Sequence, residues 1–192
     1  MIAVLQDKQF ISSEELHEAG FSNYKIRKMV SDGTLSNVNR RWYENLNYSG
    51  EINDFYAVPV YARDGVVCLI SAAVYHELSS ERPAWIDVAI PRSARVPEGP
   101  DWPAMRFYRM SELRYEIGIV NIEESRNSFR VYDPEKTVCD VVYHRNKLGF
   151  ESAMEVVKNY IERTDRDFNK LIDYARHLQV ESTLRSYLEV LL

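Results

Sequence analysis

The chain has little cysteine, little histidine and no long apolar run. Of its 192 residues only two are cysteine, Cys68 and Cys139. Both are flanked by aliphatic residues, a pattern of buried thiols in a reducing compartment rather than of a disulfide framework. The longest apolar run, Gly65-Val66-Val67-Cys68-Leu69-Ile70, falls well short of the roughly 20 residues that a helix needs to cross a bilayer. The stretch Met1-Ile2-Ala3-Val4-Leu5-Gln6-Asp7-Lys8 lacks a basic region, a long apolar core and a small-residue cleavage site. No signal peptide is expected, and the expected location is cytoplasmic. The four histidines, His17, His76, His144 and His177, stand far apart and give no zinc spacing. Cys139 and His144 lie about one and a half turns apart on a helix, hence on different sides of it. Ser71 is not in a nucleophile-elbow sequence, and Gly118 stands alone, so no phosphate-cradling loop is read. No catalytic residue, metal site or cofactor is expected, and the chain does not read as an enzyme.

What is present is enough for folding. Apolar residues at 45% and aromatics at 12% supply ample burial, which excludes disorder. The length suits one large domain, or a small one followed by a larger one. The net charge of -5 argues against a nucleic-acid binder until its distribution is considered. Residues 1–44 carry six Lys/Arg and six Asp/Glu, 45–144 carry ten and fifteen, and 145–192 carry eight and eight. The acidity therefore lies mid-chain and leaves room for a local basic surface at either end.

The first forty-odd residues read as short helices followed by a hairpin. Ser12-Ser13-Glu14-Glu15 is a helix start, with a serine cap and acids in the first turn. That helix runs through Leu16 and Ala19 and stops at Gly20. Ser22 is a second cap, opening a helix from Asn23 to Ser31 that Asp32-Gly33 ends. Leu35 to Val38 and Arg41 to Tyr43 read as brief strands around Asn39-Arg40. Residues 44–56 are polar and make the best linker. Beyond them, Val67 to Leu78 suits a buried helix and Trp85 to Ile90 a buried strand. Pro91, Pro97, Pro100 and Pro103 mark 91–103 as an extended loop. Met105 to Met110, Tyr115 to Ile122 and Ser128 to Tyr132 alternate like strands. Asp133-Pro134 opens a helix carrying Val138, Val141, Val142 and Leu148. Three more helices follow, Phe150 to Ile161, Asp167 to Leu178 and Glu181 to Leu192. Asp133 is read as a cap, Glu135 as a complement to the helix dipole, and Asp140 as the i,i+4 partner of Lys136.

The most informative segment is Leu16 to Val30. Apolar residues at 16, 19, 21, 26 and 30 can close a small helix-turn-helix core, with Gly20 at the sharp turn. The second helix then projects polar residues from its N-terminal half, the end that enters a major groove. Asn and Arg can read base edges there, and Lys and Tyr can hold phosphates. The expected DNA-reading set is Ser22, Asn23, Tyr24, Lys25, Arg27 and Lys28, with Asn39, Arg40 and Arg41 on a following wing. The expected class is α+β: a winged helix-turn-helix over residues 1–48, then an α/β domain over 55–192 with a small sheet and C-terminal helices. Arg92, Arg95, Arg106, Arg109, Arg126 and Arg130 form either a second nucleic-acid surface or scattered ion pairs. Arg106 and Arg109 fall on opposite faces of a strand.

Four stretches, in order, carry a likeness. They are Glu14-Glu15-Leu16-His17-Glu18-Ala19-Gly20 with Leu35 to Tyr43; Val67 to Leu78, with its Ser71-Ala72 and His76-Glu77-Leu78; Ile86-Asp87-Val88-Ala89-Ile90-Pro91-Arg92; and Val131-Tyr132-Asp133-Pro134-Glu135-Lys136-Thr137-Val138-Cys139-Asp140. This ordered set resembles the AbiEi-type antitoxins, the transcriptional-regulator half of AbiE type IV toxin–antitoxin systems. The resemblance implies a repressor that binds inverted repeats in double-stranded DNA upstream of its own operon. It also implies antagonism of an AbiEii-like nucleotidyltransferase toxin without a stable complex, the second domain serving antitoxicity. A short first helix, a recognition helix with a single arginine and the acidic net charge depart from that pattern. Two other readings stand beside it: a solitary winged-helix regulator, and a protein-interaction module without a toxin partner.

Overall fold

The computed structural model describes residues 7–191 and has a mixed α+β architecture. Residues 1–6 of the stretch read for a signal peptide, and Leu192, lie outside the described residues. The chain divides into two compact units, Met1–Arg63 with Ile122–Phe129, and Asp64–Asn121 with Arg130–Leu192. The polar segment 44–56, read as a linker, falls inside the first unit. Its Phe55 and Tyr56 rings pack at 5.4 and 5.9 Å from Phe129.

The first unit opens with β1 (Phe10–Ser12), a strand too short to announce itself in the sequence. α1 (Ser13–Glu18) follows directly because Ser12 closes a capping box. Its Oγ accepts from Glu15 N at 3.1 Å, while the Glu15 carboxylate accepts from Ser12 N at 2.8 Å. α2 (Asn23–Ser31) starts after Gly20, whose φ of +85° makes the turn between the helices. β2 (Leu35–Asn37) and β3 (Trp42–Asn45) complete an antiparallel sheet of order β1-β3-β2. Ile11, Leu16, Ile26 and Leu35 are buried together beneath it, one residue from each of four elements. A short 3-10 turn and α3 (Val58–Tyr61) end the continuous part of the unit. Asn127 is buried here, accepting from Gln9 N at 2.8 Å and donating to the Tyr48 hydroxyl at 3.2 Å.

In the second unit, β4 (Val66–Val67) and α4 (Leu69–Tyr75) share the run expected to be one helix. The β-branched Val66 and Val67 at its start favour a strand, and pairing with β5 (Ile86–Pro91) forms one. β6 (Met105–Met110) lies parallel to β5, as the extended 92–104 connection allows. The segment Tyr115 to Ile122, expected to be a strand, instead ends α5 (Glu112–Glu116) and begins β7 (Ile119–Glu124). With β8 (Asn127–Tyr132) the sheet order is β6-β5-β4-β8-β7, residues 122–129 of the last two strands and their turn belonging to the first unit. The remaining helices are α6 (Pro134–Tyr143), α7 (Arg145–Leu148), α8 (Phe150–Glu162), α9 (Phe168–His177) and α10 (Glu181–Leu191). α6 is their hub, packing on α4, α8, α9 and α10. Asp133 caps it, accepting from Lys136 N at 2.8 Å. Lys170 on α9 bridges Asp133 and Glu135 at 3.1 and 3.0 Å, and the Tyr160 hydroxyl donates to Glu135 at 2.9 Å.

Two stability predictions arise here. Gly118 has φ +78°, and a Cβ on it would lie 2.6 Å from Lys136 Cβ and 3.1 Å from both Asp133 carboxylate oxygens. Strain and overpacking together should make Gly118→Ala cost about 3 kcal/mol. Thermal melting should show it as a fall of roughly 6–12 °C. The second concerns pH. Burial lowers the His76 pKa against a raising contact from the Tyr132 carbonyl, 2.6 Å from Nε2. Burial also lowers that of His144. Both then bind a proton less readily folded than unfolded, so stability should fall as the pH drops through their ordinary value of 6.5. Denaturant titrations from about pH 7.5 to 5 should show this loss, and His76→Gln should flatten it.

Candidate nucleic-acid interface

α2 is amphipathic for a local reason: Ile26 fills the core, Met29 and Val30 pack beside it, and the residues between point outward. Asn23, Tyr24, Lys25, Arg27 and Lys28 are all exposed, Tyr24 by 77%. Ser22 is exposed too, and its hydroxyl caps the helix by accepting from Lys25 N at 3.4 Å. The first turn of α2 holds no acid, whereas that of α1 holds Glu14 and Glu15. The positive end of the α2 dipole is therefore not screened by its own sequence.

The turn between β2 and β3 is built around Asn39. Its Oδ1 accepts from Arg41 N at 2.9 Å and Trp42 N at 3.1 Å, and its amide donates to the Val60 carbonyl at 3.4 Å. Asn39 thus shapes the turn with its side chain, while Arg40 and Arg41 next to it are exposed. The Arg41 carbonyl accepts from Ser13 N at 2.7 Å, which ties the turn to the start of α1. Among the described residues Lys25, Arg27, Lys28, Arg40 and Arg41 make no ion pair.

Arg40, Arg41 and Asn39 share an open depression of about 920 Å³ with Ser12, Ser13, Glu14, Trp42, Pro59, Val60, Tyr61 and Arg63. The α2 residues do not line it, so the predicted set occupies two separate places on this unit. Tyr61 and Arg63, beside Asn39, Arg40 and Arg41 in this depression, lie outside the 1–48 span expected for the first domain. A Tyr-Ala-Arg sequence alone carries no signal to find them by.

No protein-family model matches this chain. No curated protein matches it either. Among solved structures it is similar to that of the RV2827C protein from Mycobacterium tuberculosis, at 12% identity and a TM-score of 0.49. That likeness covers 97% of this chain and 78% of the other. So distant a likeness carries no argument about function.

The other sequence candidates fall elsewhere. Arg106 lies 3.6 Å over the Trp85 ring, and Arg130 pairs with Asp64 at 3.7 Å. Cys68 and Cys139 are free and buried, and burial pushes both thiols up, away from the reactive thiolate. Among the described residues no helix is long and apolar enough to cross a membrane, and no group of three His, Cys, Asp or Glu could hold a metal ion.

Proposed function

We propose that the first unit is a winged helix-turn-helix that binds double-stranded DNA, with α2 in the major groove and the β2–β3 turn on the backbone or in the minor groove. The observation that supports this is the set of exposed cations on α2 and on that turn that make no ion pair among the described residues. A surface evolved only for solubility gains from interspersed acids, and α2 has none. The sequence resemblance extends the reading to an AbiEi-like repressor of its own operon. On that reading the protein works in the cytoplasm and neutralises an AbiEii-like nucleotidyltransferase without a stable complex, and two copies meet on the halves of an inverted repeat.

Fluorescence anisotropy with duplex DNA from the region upstream of the gene tests the proposal. Three to five phosphate contacts should give a log–log slope of affinity against salt of about -3 to -4.5. Absence of binding at low salt, or binding indifferent to salt, overturns it. The antitoxin part is tested separately, by rescue of cells arrested by the neighbouring toxin. Failure there with DNA binding intact leaves a solitary regulator.

A further inference from the structure

A cavity of about 320 Å³ in the second unit is lined by Leu69, Arg106, Tyr108, His144, Lys147 and Leu148. Its size lies at the lower edge of small-molecule sites. Its walls divide by chemistry. Leu69 and Leu148 are apolar, and the Tyr108 and His144 rings, 6.2 Å apart and inclined at 59°, offer flat surfaces. Arg106 and Lys147 supply two fixed positive charges, and neither makes a salt bridge among the described residues.

The nearby acid is already engaged. Asp87 Oδ1 accepts from the Tyr108 hydroxyl and from Trp85 Nε1, each at 3.0 Å. Those bonds hold the Tyr108 ring in place, while the Trp85 ring holds the Arg106 guanidinium by stacking. The arginine also interacts with the Asp87 charge and the Tyr108 hydroxyl, but it forms no salt bridge among the described residues. Burial lowers the His144 pKa, and the Lys147, Arg114 and Lys136 cations act in the same direction against Asp140, which favours the uncharged ring. A neutral imidazole can donate to, or accept from, a ligand.

We propose that this cavity binds a small aromatic anion, no larger than a mononucleotide, with its phosphate or carboxylate between Arg106 and Lys147 and its ring among Tyr108, His144, Leu69 and Leu148. The proposal is independent of the DNA-binding reading, since every residue in it belongs to the second unit.

Isothermal titration of the full chain with 5′-AMP, phenyl phosphate and benzoate separates the two headgroups. At least one should bind at a single site with Kd below about 1 mM. Adenosine and benzyl alcohol, which lack the charge, should bind about tenfold more weakly or not at all. Arg106→Gln should weaken the bound probe about tenfold and Lys147→Gln by a smaller factor. Trp85 emission should change on binding in the wild type. Should Arg106→Gln melt early, Lys147→Gln, on an exposed residue, decides the matter alone. Failure of all three probes to saturate at about 10 mM overturns the proposal. So does wild-type affinity in both variants at unchanged melting temperature.

Discussion

Changing Arg27 and Lys28 together to alanine is expected to weaken binding to the operator by about 2–5 kcal/mol, taking ~1–3 for each good contact. That corresponds to a loss of roughly 30- to 4,000-fold. Both side chains are exposed and make no ion pair among the described residues, so their removal should leave the fold intact. The two halves of the change should differ in kind. An arginine on a base edge contributes sequence discrimination, whereas a lysine on a phosphate contributes equally to all sequences and to the salt slope. Arg27→Ala alone should therefore narrow the gap between operator and random duplex. Lys28→Ala alone should reduce the salt slope by about 1. Asn39→Ala provides the contrast, because that side chain holds its turn together and its loss should appear mainly as reduced stability. Equal operator binding by wild type and the double variant would remove α2 from the interface.

The second large effect lies in the helical unit. Asp140→Ala should destabilise it by about 3–5 kcal/mol, because the change leaves a buried cation without its partner. Lys136 is fully buried, pairs with Asp140 one turn away and sits 4.1 Å over the Tyr132 ring. Arg114 adds a longer contact to the same carboxylate at 3.8 Å while stacking on Tyr143. Removing both ends of the pair is a different experiment. Lys136→Met with Asp140→Leu should recover most of the loss, since neither charge then has to be kept out of water. Urea unfolding of the three variants measures this directly. A cost below about 1 kcal/mol for Asp140→Ala would show that the buried Lys136 does not depend on this partner.

Local chemistry was legible in the sequence and long-range pairing was not. Ser12, Ser22 and Asp133 announce helix starts because a cap acts within three residues, and all three accept the expected backbone N–H. The i,i+4 spacing of Lys136 and Asp140 was readable for the same reason. What the spacing could not reveal is that the pair is buried, or that Lys170 and Tyr160 converge on Asp133 and Glu135 from more than twenty residues away. The strand β1 escaped because three residues show no usable alternation. Val66–Val67 escaped because a two-residue strand that runs straight into an apolar helix shows no periodicity of its own. On α2 the outward residues followed from the apolar positions alone. On the hairpin the residue types gave no means of telling Asn39, which builds the turn, from the arginines that the turn displays.

The first unit is discontinuous in the chain. Asn127 supplies hydrogen bonds to Gln9 and Tyr48, and Phe129 packs on Phe55 and Tyr56. A ribosome that has delivered the two helices and the hairpin has not yet made these partners. Completion of the N-terminal unit therefore waits on a segment translated about twice as far along the message, and nascent chains interrupted before it emerge unfinished.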